Sequence, residues 1–189
     1  MAILHDATLR PTKLEVLQAW VPAQDWYPSD EPDFELAGRF RFDDPDGEVG
    51  IETFLLTRPD GEVFHVPLTY RGAPLDEPDA VLVSTMEHSV LGPRWVYDAT
   101  TDPVYLAVVA EVIRAGGREA VQYVEDAAGT AREVPSTARA RGNPGAAGVT
   151  LDIARRAPYV DEPGPGTLSA TWEGAPREVV LANLDSVSP

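Results

Sequence analysis

The chain has 189 residues, 43% hydrophobic and 24% charged, proportions that let a globular protein bury a core. Its 31 acidic against 15 basic side chains give a formal net charge of −16, which repels phosphate backbones and anionic lipid, so nucleic acid and membrane surfaces are disfavoured partners. The absence of cysteine excludes disulfides, thiolate nucleophiles and zinc–cysteine sites and makes the cytoplasm the expected compartment.

Met1 to Thr12 lacks a basic start followed by a long apolar core, and no stretch approaches the ~20 apolar residues that span a bilayer, so neither an export signal nor an anchor is expected. Thr12 and Glu15 fit a capping box, and Leu14, Leu17, Trp20 and Val21 follow at helical spacing until Pro22. This predicts a short helix with one buried face. From Phe34 to Phe42 the apolar residues Phe34, Leu36, Phe40 and Phe42 mark a half-buried strand, and Asp44-Pro45-Asp46-Gly47 is a turn leading to a returning strand over Glu48 to Thr57. A second turn, Arg58 to Gly61, leads to Glu62 to Tyr70, where Phe64, Val66, Leu68 and Tyr70 share a face. The three strands form a meander, with Ala80 to Met86 and Arg94 to Tyr97 as the fourth and fifth.

Asp102 and Pro103 start a second helix, whose apolar face is Tyr105, Leu106, Val108, Val109, Val112 and Ile113 and whose stop is Gly116-Gly117. That helix is expected to pack on the sheet as its chief cover. Beyond Glu125 the stretches Asp126 to Gly129, Pro135 to Gly148 and Asp161 to Gly166 read as Gly/Pro/Ala-rich loops. Strand candidates between them are Val149 to Ala154, Thr167 to Trp172 and Glu178 to Leu184. The predicted organisation is an α+β domain over 1–125, a curved antiparallel sheet packed on a helix, with a mostly β extension over 126–189 packed on it.

Few motifs carry chemistry. If Gly47 is taken as the glycine of a calcium loop, Phe42 and Thr53 fall on the first and last ligand positions and fail as ligands. His5, His65 and His88 are too scattered for a metal pair, so no metal site is expected. The sole lysine, Lys13, lies in the first helix, Arg141 to Gly145 lacks a GK[ST] ending, and no carboxylate pairing suits a kinase, so no nucleotide cofactor is expected. Glu87, His88 and Asp98, with Arg94 and Tyr97, place acid, base and cation within twelve residues, the one cluster from which a small enzyme could work. Trp26-Tyr27 and Trp95-Val96-Tyr97 flank turns where rings could stack on a sugar or fill the core.

Three segments carry a family resemblance. Trp20-Val21-Pro22-Ala23-Gln24-Asp25-Trp26-Tyr27 resembles the WLPxQRWY opening of the N-terminal cap domain of maltokinases and related aminosugar kinases. Val66 to Arg71 is similar to a later cap strand, and Val96-Tyr97-Asp98-Ala99-Thr100-Thr101-Asp102-Pro103 to the entry into the cap helix. The resemblance covers about residues 10 to 120 and implies a cystatin-like cap; Asp25 departs from the family's arginine, and the nucleotide-binding loop and lysine of a catalytic lobe do not follow residue 125. It implies a non-catalytic cap-like module of maltose, glucan or trehalose metabolism that binds a sugar or partners a kinase or glucan-metabolising enzyme. Its expected contact residues are Trp26, Tyr27, Tyr70, Arg71, Arg94, Trp95 and Tyr97. A dimerising structural module is a third reading.

Overall fold

The computed structural model describes residues 2–5, 7–125, 131–145 and 148–185. Strands β1 (Ala2–His5) and β2 (Leu9–Arg10) precede helix α1 (Lys13–Trp20), and β3 (Glu35–Phe42), β4 (Gly50–Thr57), β5 (Val63–Arg71), β6 (Leu82–His88) and β7 (Gly92–Asp98) follow before helix α2 (Pro103–Ala115). The rest is β8 (Gln122–Glu125), β9 (Ala131–Val134), β10 (Ala138–Asn143), β11 (Thr150–Ile153), β12 (Tyr159–Val160), β13 (Thr167–Trp172) and β14 (Glu178–Asp185). The fold is α+β: a curved antiparallel sheet of order β2-β6-β7-β5-β4-β3, a second sheet built on β10-β13-β14-β11, and a three-stranded sheet of β1, β8 and β9.

Local chemistry sets the helix ends. Thr12 Oγ1 accepts from the Glu15 amide while the Glu15 carboxylate accepts from the Thr12 amide at 2.7 Å, which satisfies two free donors at the start of α1. Asp102 accepts from the Val104 amide at 3.0 Å, Pro103 takes the first helical position of α2, and Gly116 ends the helix in the left-handed region at φ 66°.

Both faces of the large sheet are covered, so β4 is buried from Ile51 through Leu56 rather than in alternation. Phe54 and Leu56 join Phe64, Val66, Leu68 and Val96 under Val16, Leu17 and Val21 of the α1 segment. Ile51 and Leu55 point the other way, with Phe40 and Phe42, to Tyr105, Val109 and Ile113 of α2 and to Leu168, Ala170 and Leu181 of the second sheet. The expectation that α2 is the chief cover is therefore corrected: α1 closes one face, and α2 shares the other with strands from beyond residue 125.

Three other expectations shift. Leu14 is exposed, because the buried stripe of α1 runs through Val16, Leu17 and Val21 instead. A bulge between Leu36 and Gly38 breaks the alternation of β3, leaving Leu36 exposed and putting Phe34 against the α1-side core while Phe40 and Phe42 face α2. The stretch Pro135 to Gly148, read as a loop, contains β10, whose inward residues are only Ala138, Ala140 and Gly142 and so give little hydrophobic signal. Smallness is required there: a Cβ on Gly142 would stand 1.9 Å from the Val112 carbonyl oxygen of α2. The predicted loop Asp126 to Gly129 lies outside the described residues, as does the His5 side chain.

Candidate functional site

Where α1 begins, an open cleft of ≈ 530 Å³ lies between the β2–α1 segment, the β3–β4 hairpin and the β6–β7 turn. Its lining includes Lys13, Arg41, Tyr70, Met86, His88 and Arg94, with Asp43, Asp44 and Glu48 along the hairpin. Alternation explains the set. Tyr70 follows Phe64, Val66 and Leu68 on the α1 face of β5, and Met86, His88 and Arg94 stand on that face of β6 and β7.

Beside the cleft Glu52, 2% exposed, ion-pairs with Lys13 and lies 3.5 Å from Arg39 and 3.8 Å from Arg41. Burial would push its carboxyl pKa up, but Lys13 and Arg41 outweigh that and hold it below the ordinary value. Burial conversely pulls the Lys13 ammonium down, offset in part by Glu52. One carboxylate thus serves three cations. Lys13 Nζ also sits 5.2 Å from the Tyr70 ring centroid, and burial, then the Glu52 charge, keeps the Tyr70 phenol protonated. The Tyr70 hydroxyl and Arg41 Nε are buried without a hydrogen-bond partner among the described residues. Gly50 pairs with Tyr70 in register, and a Cβ there would stand 3.1 Å from the Arg41 guanidinium, so glycine lets Arg41 lie across the strand.

The segments around this cleft follow a recognisable order. Trp20 to Tyr27 leaves α1 through a short 3₁₀ turn at Val21–Ala23, the five strands β3 to β7 follow, and Asp98 and Asp102 cap the 3₁₀ turn Ala99–Thr101 and α2. Residues 20–102 match the family model of the maltokinase N-terminal cap domain. The search of curated proteins found no match. The matched cap segment supplies β3 to β7, and most of the cleft lining lies within it, from Arg41 to Arg94; only Ala7, Leu9 and Lys13 come from before it.

Of the sequence-predicted contacts, the matched segment brings Tyr70 and Arg94 to the cleft, together with the catalytic candidate His88, and sends the others elsewhere. Trp26 packs edge-on against Trp20 at 5.9 Å, with the Arg155 guanidinium 5.2 Å from its ring centroid. Tyr27 is buried against Phe64 and donates to Asp33, which Arg58 also holds. Arg71 donates to Asp102 at 2.8 and 2.7 Å. Trp95 pairs in register with Arg71 and is half-buried, while the buried Tyr97 accepts from the Leu75 amide through its hydroxyl. Asp25, in the position where the resemblance carries arginine, is exposed.

The proposed acid–base cluster is divided. His88 Nδ1 accepts from the Val90 and Leu91 amides, so this nitrogen is unprotonated there. Glu87 is exposed and, one residue along β6, falls on the opposite face. Asp98 is buried, accepts from the Thr100 amide at 3.1 Å and pairs with Arg155. Among the described residues no group of three or more His, Cys, Asp or Glu side chains is placed to hold a metal, and no helix is long and apolar enough to cross a membrane.

Motif reasoning passes over Arg41 in the cleft and Glu52 beside it, and weighs Lys13 only as the lysine a kinase would need. A signal exists for Glu52: a charged residue inside the apolar run Ile51 to Leu56 must find buried cations.

Proposed function

We propose that the chain is a non-catalytic cap-like module of maltose, glucan or trehalose metabolism that binds a small carbohydrate-related ligand in its cleft and works beside a kinase or glucan-metabolising enzyme. The observation that carries this reading is the coincidence of the cap-domain match with the open cleft, whose walls come mostly from the matched segment. The cleft mixes an aromatic face, Tyr70, with charged donors and acceptors, the combination that sugar hydroxyls and ring C–H groups need.

Absence of catalysis by this chain rests on the division of Glu87, His88 and Asp98 and on the use of the sole lysine, Lys13, as the partner of a buried carboxylate. A phosphoryl-transfer site needs its cation free to meet phosphate.

The test has two arms: affinity capture of the full chain from its native lysate, reading for a sugar kinase or glucan-processing enzyme, and calorimetric titration with glucose, maltose and trehalose and their phosphates. Specific capture of such an enzyme, or saturable sugar binding lost on Tyr70→Ala, supports the reading. Silence in both arms, or phosphate transfer from ATP to a sugar by the purified chain, overturns it.

A further inference from the structure

The charges of the cleft are segregated. Lys13, at the start of α1, and Arg41, on β3, meet at Glu52 beside Tyr70, and Arg94 of β7 lies close enough to Gly72 that a Cβ there would meet its guanidinium at 2.8 Å. The carboxylates Asp43, Asp44 and Glu48 lie along the hairpin. Asp44 is committed to that hairpin, accepting from the amides of Asp46, Glu48 and Val49 at 3.1, 2.9 and 2.8 Å.

Around Glu52 cations outnumber carboxylates, since Lys13, Arg39 and Arg41 share its single carboxylate. Arg94 has no ion pair among the described residues, and its hydrogen bond runs to the carbonyl of its neighbour Pro93 at 3.4 Å. Two further donors are already stripped of water and lack an acceptor: the Tyr70 hydroxyl and Arg41 Nε. Such groups have borne their desolvation cost in folding, so an acceptor that reaches them gains a bond at little further cost. In a chain of net charge −16, a floor of unmatched donors selects for an anion against the field of the rest of the surface.

We infer that the cleft takes a small polyol bearing one anionic group, with the phosphate or carboxylate held by Arg41, Arg94 and the Tyr70 hydroxyl and the alcohol hydroxyls donating to the carboxylates of the hairpin. This rests on the carbohydrate-binding reading and narrows it to acidic or phosphorylated sugars. Charge-assisted bonds to guanidinium are the stronger kind, and they set the preference for the anionic ligand over its neutral parent.

The experiment is calorimetry of the full chain with glucose, glucose 1-phosphate, glucuronate and inorganic phosphate, repeated on Arg94→Gln and Tyr70→Phe. At least one anionic sugar is expected to bind about tenfold or more tighter than glucose, since one charge-assisted hydrogen bond is worth roughly that ratio. Whichever of glucose 1-phosphate and glucuronate binds tighter identifies the anion. Arg94→Gln should abolish the preference. Tyr70→Phe should weaken the anionic sugar about threefold to tenfold while leaving the melting temperature unchanged or raised, because it removes a hydroxyl that the folded protein leaves unsatisfied. A purely structural Tyr70 would leave affinity untouched, which would overturn its assignment. Equal binding of glucose and its anionic derivatives would overturn this inference while leaving the carbohydrate reading standing. Binding of inorganic phosphate as tight as that of the sugar phosphate would overturn the polyol part. Silence from all four ligands overturns the inference, and the capture arm with the maltose and trehalose titrations then decides the broader reading.

Discussion

His65 is buried at the centre of the molecule, with Nδ1 3.1 Å from the Ala154 carbonyl and Nε2 3.3 Å from the Tyr105 hydroxyl. A carbonyl can only accept, so Nδ1 carries the proton and Nε2 accepts from Tyr105; the ring is neutral and bonded on both sides. Burial, and then the charge of Arg155, pull its pKa from 6.5 to about 3. Because the folded form binds fewer protons than the unfolded one, this group's contribution to stability is complete above pH 6.5 and is lost as pH falls towards 3. In the upper part of that window, down to about pH 5.5, most carboxylates stay ionised, so His65 contributes a slope of about 1.4 kcal/mol per pH unit there that they do not mask. Urea midpoints measured at intervals from pH 7 to 4 should fall for the native chain and run flatter for His65→Gln; parallel slopes would remove His65 as the cause.

Asp102 shows the same logic for a carboxylate. Burial alone would raise its pKa, but hydrogen bonds from Arg71, Thr69 and the Val104 amide hold it below the ordinary value. It caps α2 and neutralises a mostly buried guanidinium at once. Asp102→Ala is expected to cost about 3 kcal/mol or more in chemical denaturation, since it orphans Arg71 as well as the helix start. A loss under 1 kcal/mol, the scale of an exposed pair, would show that the site is wetter than its geometry implies.

At the scale of elements, the tightest approach is that of β10 to α2. With a Cβ on Gly142 1.9 Å from the Val112 carbonyl oxygen, Gly142→Ala cannot be absorbed by a side-chain rotation; strand and helix must separate. The expected cost is about 2 to 3 kcal/mol by thermal melting, at the upper end of overpacking penalties. Gly164, where a Cβ would meet nothing within 4 Å, is the control: Gly164→Ala should change stability by no more than about 0.5 kcal/mol. Equal effects at the two sites would refute the close packing of α2 on β10.

At the scale of the whole molecule, the core that α2 closes draws on both sides of residue 125, from Phe40 and Ile51 to Leu168 and Leu181. Calorimetry is expected to show one cooperative transition for the full chain. A polypeptide ending at residue 125 should lose that transition and bind a hydrophobic dye, because the apolar surface that Leu168, Ala170 and Leu181 cover would face water. Two separable transitions, or a well-folded 1–125 fragment, would show that the two parts are independent.

The sequence by itself determined what depends on near neighbours. The Thr12–Glu15 box, the Asp102-Pro103 start and Gly116 stop of α2, the turns at Gly47 and Gly61, and the alternation of Phe64, Val66, Leu68 and Tyr70 are local patterns, and each stands in the structure where its residues place it. The motifs of the cap match are equally local. Tertiary structure alone decided what depends on residues far apart: that β7 lies between β5 and β6, that Ala138, Ala140 and Gly142 form a strand because a helix comes close, and that Tyr70 and Arg94 share a cleft while Asp98 turns to Arg155. Side-chain convergence is set by strand order and by which face each residue meets, and neither is encoded within the reach of a turn or a helical repeat.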